Sequence, residues 1–203
     1  MHKTFLSYHH ANEQDLKNGI IEAFAGASFI NKSVSDGDIS TNVSEDYIMR
    51  KIREDYLGDS TVTVVLIGTE TASRPFVNSE IQASLWGENP AGLIGVIRDE
   101  IYSSVFSSGV CSDTSCNCGI GIRTIDWGYE HYLPWLIKKN HSFSKLVPHY
   151  DDMDVYCYLV KYSDFIGNSE FYINQAFDKR NIMEPAAKKN PADVPAIRTN
   201  LLW

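Results

Sequence analysis

Thr61-Val62-Thr63-Val64-Val65-Leu66-Ile67-Gly68, followed by Arg74-Pro75-Phe76-Val77-Asn78-Ser79-Glu80-Ile81, decides the fold class of this 203-residue chain. Residues 61–67 are β-branched and almost continuously apolar, as a strand must be when both faces of its sheet are covered. Gly68 closes the strand. Pro75 then suits the first turn of a helix in which Val77, Ile81 and Leu85 recur at four-residue steps, until Gly87 and Pro90 end it. Leu93-Ile94-Gly95-Val96-Ile97 is a second buried strand. Strand, amphipathic helix and strand make a βαβ unit, and such units build a parallel sheet with helices on both faces.

The alternation continues towards the N-terminus. Residues 3–8 form a short β-prone run, and Asn12-Glu13 opens a helix with an acid in its first turn, carried on by Leu16, Ile20, Ala23, Phe24 and Ala27. After a polar stretch from Asn31 to Asn42, Ser44 with Glu45 and Asp46 starts a second helix whose Ile48, Met49, Ile52 and Tyr56 share a face before Gly58. On the other side the pattern loosens. Residues 98–135 read as an insertion or long loop holding Trp127, Tyr129, Tyr132 and Trp135, and Phe171, Ile173, Ala176 and Phe177 mark a final helix ending near Arg180. The expected organisation is one domain over 1–183 and a tail, 184–203. With Pro185, Pro191 and Pro195, that tail runs extended over its own domain or a neighbouring subunit.

The charge balance of −8 argues against a nucleic-acid partner, because binding to a phosphate backbone runs on basic patches. No stretch approaches the ~18 consecutive apolar residues of a membrane span, and the N-terminus lacks the apolar core of a secretory signal, so a cytoplasmic protein is expected. Four cysteines at 111, 116, 118 and 157 do not form a disulfide framework. The single residue between Cys116 and Cys118 is awkward for tetrahedral zinc, which favours a reduced loop over a metal site.

Phosphate-loop, dinucleotide-binding glycine, zincin and nucleophile-elbow motifs are all missing. The informative groups are a carboxylate and a strand end. Glu80 lies one step round from the Val77, Ile81 and Leu85 stripe and shares a face with Phe76 and Ser84, which places it at the edge of the core. A carboxylate there stabilises developing positive charge better than one in bulk water, because the local dielectric is low. A solvent-facing helix glutamate fits the same spacing. His9 and His10 fall at the carboxyl end of the first strand, the edge where open α/β sheets bind ligands.

Two segments together carry a family resemblance. Thr4-Phe5-Leu6-Ser7-Tyr8-His9-His10 resembles the opening strand and loop of TIR-like domains, and Val64 to Gly68 followed by Phe76-Val77-Asn78-Ser79-Glu80-Ile81 resembles their later strand and aromatic-Val-x-x-Glu-Ile helix. The combination, over about residues 3–97, is most similar to the TIR-like proteins of the bacterial Thoeris antiphage system. The resemblance implies a flavodoxin-like three-layer α/β/α sandwich with a mainly parallel sheet. It further implies an enzyme that cleaves NAD as substrate, with no cofactor, into nicotinamide and a linear or cyclic ADP-ribose product that reaches a downstream effector. The family's catalytic glutamate falls on Glu80, and its NAD-lining positions fall on Phe5, Ser7, Tyr8 and His9.

That chemistry asks little of the protein. Nicotinamide leaves as a neutral molecule, so one carboxylate facing an oxocarbenium-like ribose suffices where ordinary glycosidases need two. Phe5 would wall a flat ring, and His9 would donate to ribose or phosphate. A non-catalytic TIR-like interaction module is the alternative reading, and a receiver-like or flavin-binding protein a third. A homo-oligomer is expected under any of them, since the aromatics of 127–135 and the apolar tail end would be costly left bare.

Overall fold

The computed structural model describes residues 2–24, 29–30, 39, 42–110, 121–142 and 152–198. Seven strands are present among them: β1 (Thr4–Ser7), β2 (Phe29–Ile30), β3 (Val62–Ile67), β4 (Gly92–Ile97), β5 (Phe106–Val110), β6 (Gly121–Ile125) and β7 (Cys157–Lys161). Five form one sheet in the order β2-β1-β3-β4-β7, each neighbouring pair parallel, while β5 and β6 pair with each other antiparallel. This is the flavodoxin-like order. The chain leaves β1 in one direction and returns past it to β3, so the carboxyl ends of β1 and β3 flank the crevice where such sheets bind ligands.

Period-two alternation sorts the strands between two layers. Val64 and Leu66, Ile94 and Val96, and Tyr158 and Val160 face a core shared with Leu16 and Ile20 of α1 (Gln14–Ala23), Phe165 of α7 (Tyr162–Gly167) and Ile173 of α8 (Ser169–Ile182). Val65 and Ile67, Leu93 and Ile97, and Cys157 and Leu159 face the other way, onto α3 (Pro75–Leu85), α4 (Asp99–Val105), α5 (Trp127–Tyr132) and α6 (Trp135–His141). On that same side Phe5 packs with Ile48, Met49 and Ile52 of α2 (Glu45–Ile52) and Ala83 of α3. The result is a three-layer α/β/α sandwich. At Gly92 the α8 layer approaches so closely that a Cβ would run into the Ala176 backbone.

Local signals act as the sequence predicts in the first half. The Ser44 hydroxyl accepts from the Tyr47 backbone N–H to cap α2, and Pro75 occupies the first turn of α3. Beyond Arg98, where the sequence suggests an insertion or long loop, α4, the β5–β6 pair and α5 occupy the stretch, and β7, which the sequence pattern does not mark, joins the main sheet. Short elements with mixed polar composition leave little periodicity to read. They are held by charge. Arg123 donates to the Leu159 carbonyl (2.8 Å) and pairs with Asp152, Lys179 donates to the Asp152 carbonyl, and His141 Nδ1 stands 3.0 Å from the Cys157 carbonyl. Burial holds His141 below its usual pKa.

The position of α3 has two fixings. Val77, Ile81 and Leu85 bury its apolar stripe on the sheet, about 1.5–3 kcal/mol for each side chain. At its C-terminus one residue following α2 donates to carbonyls of the helix end and of the turn beyond it. Arg53 Nη1 donates to Ala83, Ser84 and Trp86 (3.1, 3.2 and 3.1 Å), and its Nη2 to Asn89 (2.7 Å). Replacing Arg53 by Leu leaves those carbonyls without their cation and should lower unfolding free energy by about 2 kcal/mol, read as a fall in the urea midpoint at unchanged slope.

Candidate active site

β1 ends at Ser7, and α3 begins just after the loop that leaves β3. Those two facts bring Ser7 and Glu80 together. The Ser7 hydroxyl donates to Glu80 Oε2 at 2.6 Å, the length of a charge-assisted bond, with Ser7 fully buried and Glu80 1% exposed. One turn on, the Ser84 hydroxyl donates to the Glu80 carbonyl (2.8 Å) and sits 2.8 Å from the Thr63 hydroxyl of β3, tying this part of the helix to the sheet. Glu80 is therefore inside the core and not at its edge. The spacing argument misplaced it because it counted only the contact of α3 with the sheet, whereas all of Val77 to Leu85 is buried.

The other candidates divide between two faces of β1. Phe5 points to the same side as Ser7 and is fully buried among the α2 residues and Ala83. Tyr8 points to the opposite side, into the core with Leu16 and Ile20, its hydroxyl donating to Gln14 Oε1 (3.2 Å) and its ring stacked on His10. His9 lies in the loop between the two. Its Nδ1 is buried, makes no hydrogen bond among the described residues, and stands 4.0 Å from Glu70 Oε2. Burial, with Arg74 and His10 nearby, lowers its pKa, so the imidazole is neutral and free to donate or accept.

One residue at this edge had no functional signal in the sequence. Glu13, read there as an ordinary acid of a helix start, is 1% exposed, and neither carboxyl oxygen makes a hydrogen bond among the described residues. It lies against Gly68 just after β3, so close that a Cβ there would displace the Glu13 carboxyl group. Burial pushes its pKa up to about 7, the nearby Arg98 offsetting only part of the effect. Arg98 itself is held by Asp15 (2.9 and 2.5 Å) and the Asn12 carbonyl (2.6 Å), which fixes the same loop to the end of β4.

Among the described residues no three His, Cys, Asp or Glu side chains gather as metal ligands do. Cys111, Cys116 and Cys118 lie outside those residues. No helix among them is long and apolar enough to cross a membrane.

The family model of the Thoeris protein ThsB, TIR-like domain, matches residues 5–101, just under half of the chain. The match takes in Ser7, Glu13 and Glu80, and ends within α4. No curated protein matches the sequence.

Glu13 gives the fold a pH dependence of definite sign. Its folded pKa of about 7 exceeds the ordinary 4.5, so folding favours the protonated acid, and that stabilisation is lost as pH rises from about 4.5 through 7. Wild-type protein should lose about 2 kcal/mol between pH 5 and pH 8 through this group. Glu13→Gln should match wild type at pH 5 and exceed it at pH 8 in urea unfolding; parallel pH profiles for the two would show that Glu13 stays ionised.

Proposed function

We propose, from the premise that residues 5–101 are a TIR-like domain of the Thoeris ThsB family, that this chain cleaves the nicotinamide–ribose bond of NAD at Glu80 and serves antiphage defence through the nucleotide it makes. The observation that carries the reading is the Ser7–Glu80 hydrogen bond, which fixes a carboxylate beside the crevice at the carboxyl ends of β1 and β3. Few other placements make a single carboxylate useful.

The steps are short. Glu80 faces the ribose carbon as its bond to nicotinamide lengthens, and the pair of electrons leaves with the ring, which departs neutral. The carboxylate stabilises the positive charge left on the ribose. Ser7 acts through Glu80, holding its carboxylate in one orientation so that little reorganisation is needed. Phe5, behind Ser7 on the same face, supports that pair from the core, and neutral His9 with Arg74 offers polar contacts to hydroxyls or phosphates further along the edge. Tyr8, on the opposite side of the sheet, has no route to this ligand except by shaping the loop that carries His9. The intermediate ends as linear ADP-ribose when water attacks, or as a ring when a hydroxyl of its own adenosine half does. A downstream effector would then read the product. Self-association is part of the same proposal, with Trp127 (59% exposed) and Ile125 (49%) two neighbouring large apolar side chains among those left uncovered in the single chain.

The second reading, a TIR-like interaction module, is favoured by one observation: Glu80 is 1% exposed and so out of contact with any ligand in this arrangement.

Purified protein incubated with NAD should release nicotinamide, resolved by chromatography, with the product mass telling hydrolysis from cyclisation. Glu80→Gln should abolish release, and Ser7→Ala should slow it about tenfold or more while the fold is retained, the loss of one charge-assisted bond. Turnover by Glu80→Gln at the wild-type rate would remove Glu80 from the chemistry.

A further inference from the structure

The side of α3 turned away from the sheet has an identifiable cover, next to the residue pair Ser79–Glu80. Helix α3 carries Asn78, Ser79, Glu80, Gln82 and Ser84, all buried, although its apolar stripe already occupies the side against the sheet. What takes the remaining side is residues 189–198, which run without regular secondary structure across the helix.

The contact is made of specific bonds. The Asn190 backbone N–H donates to Gln82 Oε1 (2.9 Å) and its side-chain amide to the Asn78 carbonyl (2.9 Å); the Asn78 side chain donates to the Pro195 carbonyl (2.7 Å). The Ile197 backbone N–H donates to the Ser79 hydroxyl (2.8 Å), one residue before Glu80. The Ile197 side chain packs on the cluster that contains Phe5, with Phe76 also against it. Lys189 pairs with Glu45 of α2 at 2.5 Å, and Arg198 folds back onto the Pro191 and Val194 carbonyls (2.5 and 3.1 Å), holding the segment's bend.

We propose that residues 189–198 form a strap that closes the Glu80 site in the resting chain and must leave α3 before a nucleotide can enter. The proposal rests on the NAD reading given above and names the regulation of that site. A ligand that is to touch Glu80 needs an opening beside α3, and the strap is the cover that can move without dismantling the sheet. It belongs to no strand ladder and no helix. Its attachment is also imperfect: Asn78 Oδ1 and Asn190 Oδ1 are buried with no donor among the described residues, so part of what docking gains is lost to unsatisfied amides. A segment held by a few side-chain bonds and one isoleucine opens far more often than the core unfolds. Opening lets the Asn78, Ser79 and Gln82 groups meet water or a ligand's own hydroxyls. In a chain mostly closed, apparent affinity is reduced by the fraction open, and removing the closure restores it.

The test uses the full chain and the double variant Asn190→Ala with Ile197→Asp, neither position being part of the proposed chemistry, with Asn190→Ala alone in reserve if the double variant melts early. Amide exchange at 190 and 197 reports closure. Calorimetric titration with an NAD analogue whose nicotinamide–ribose bond does not break reports entry, and nicotinamide release from NAD reports turnover. Slow exchange at both amides in wild type, fast exchange in the variant, and about tenfold tighter analogue binding with faster release in the variant are expected. Fast exchange at 190 and 197 in wild type would overturn the strap as a closed state. A freed strap with analogue affinity equal to that of wild type would overturn it as a gate. A freed strap with no analogue binding by either protein would overturn the NAD reading and the gating claim together, distinguishable from the previous result because wild type binds nothing.

Discussion

The hydrogen bond between Ser7 and Glu80 joins the end of a central strand to a helix from the neighbouring βα unit, inside a region with almost no water. The bond satisfies a buried polar atom on each side, and the helix has to sit at one height on the sheet for the two to meet. Two further contacts set that height. The stripe of Val77, Ile81 and Leu85 settles which face of α3 points inward, and Arg53 gathers the carbonyls at its far end. A slide along the helix axis would break the Ser7 bond and the Arg53 cap together, so the two ends reinforce one register.

Not every acid at this edge is treated alike. Glu80 has a hydroxyl donor within 2.6 Å, whereas Glu13 is pressed against Gly68 with no donor for either oxygen among the described residues. One is held by a hydroxyl donor, and the other is an acid whose pKa burial pushes up to about 7. The loop between Tyr8 and Glu13 carries the second of these acids. Its anchor is Arg98, paired with Asp15 and the Asn12 carbonyl, and the loop bears His9 at the mouth of the crevice.

The parts legible in the sequence are those where one local force dominates. The run 61–67 is a buried strand because nothing polar interrupts it apart from threonine, Ser44 caps α2 because its hydroxyl reaches a free N–H, and Pro75 starts α3 because its φ is already helical. β7 was missed because Cys157-Tyr158-Leu159-Val160-Lys161 is short and lies beyond a polar stretch, and β5 and β6 because Ser107, Ser108, Gly109 and Arg123 dilute their pattern. Their partners are supplied by long-range charge, Arg123 with Asp152 and the Leu159 carbonyl, which no window of sequence contains. The site was half legible for the same reason. A motif located Glu80 and Ser7, but the bond between them spans 73 positions and Glu13 meets Gly68 from a different βα unit, contacts that no local window contains.

Helix α3 faces two demands that helices usually separate. An apolar stripe must be buried to hold it on the sheet, and on the NAD reading a polar side must open to a ligand; most surface helices meet both by leaving the polar side in water. Here the chain's own C-terminal segment covers that side through Asn78, Ser79 and Gln82. Substitutions at those three positions therefore act on two things together, the docking of residues 189–198 and the support of Glu80. A change of activity at Gln82 carries no information about contact with substrate unless the exchange rate of the Asn190 amide is known for the same variant. Ser7 is different: it lies beneath the helix and bonds to Glu80 itself, so its removal perturbs the carboxylate with the cover in place. Comparing the two positions separates what the carboxylate does from what hides it.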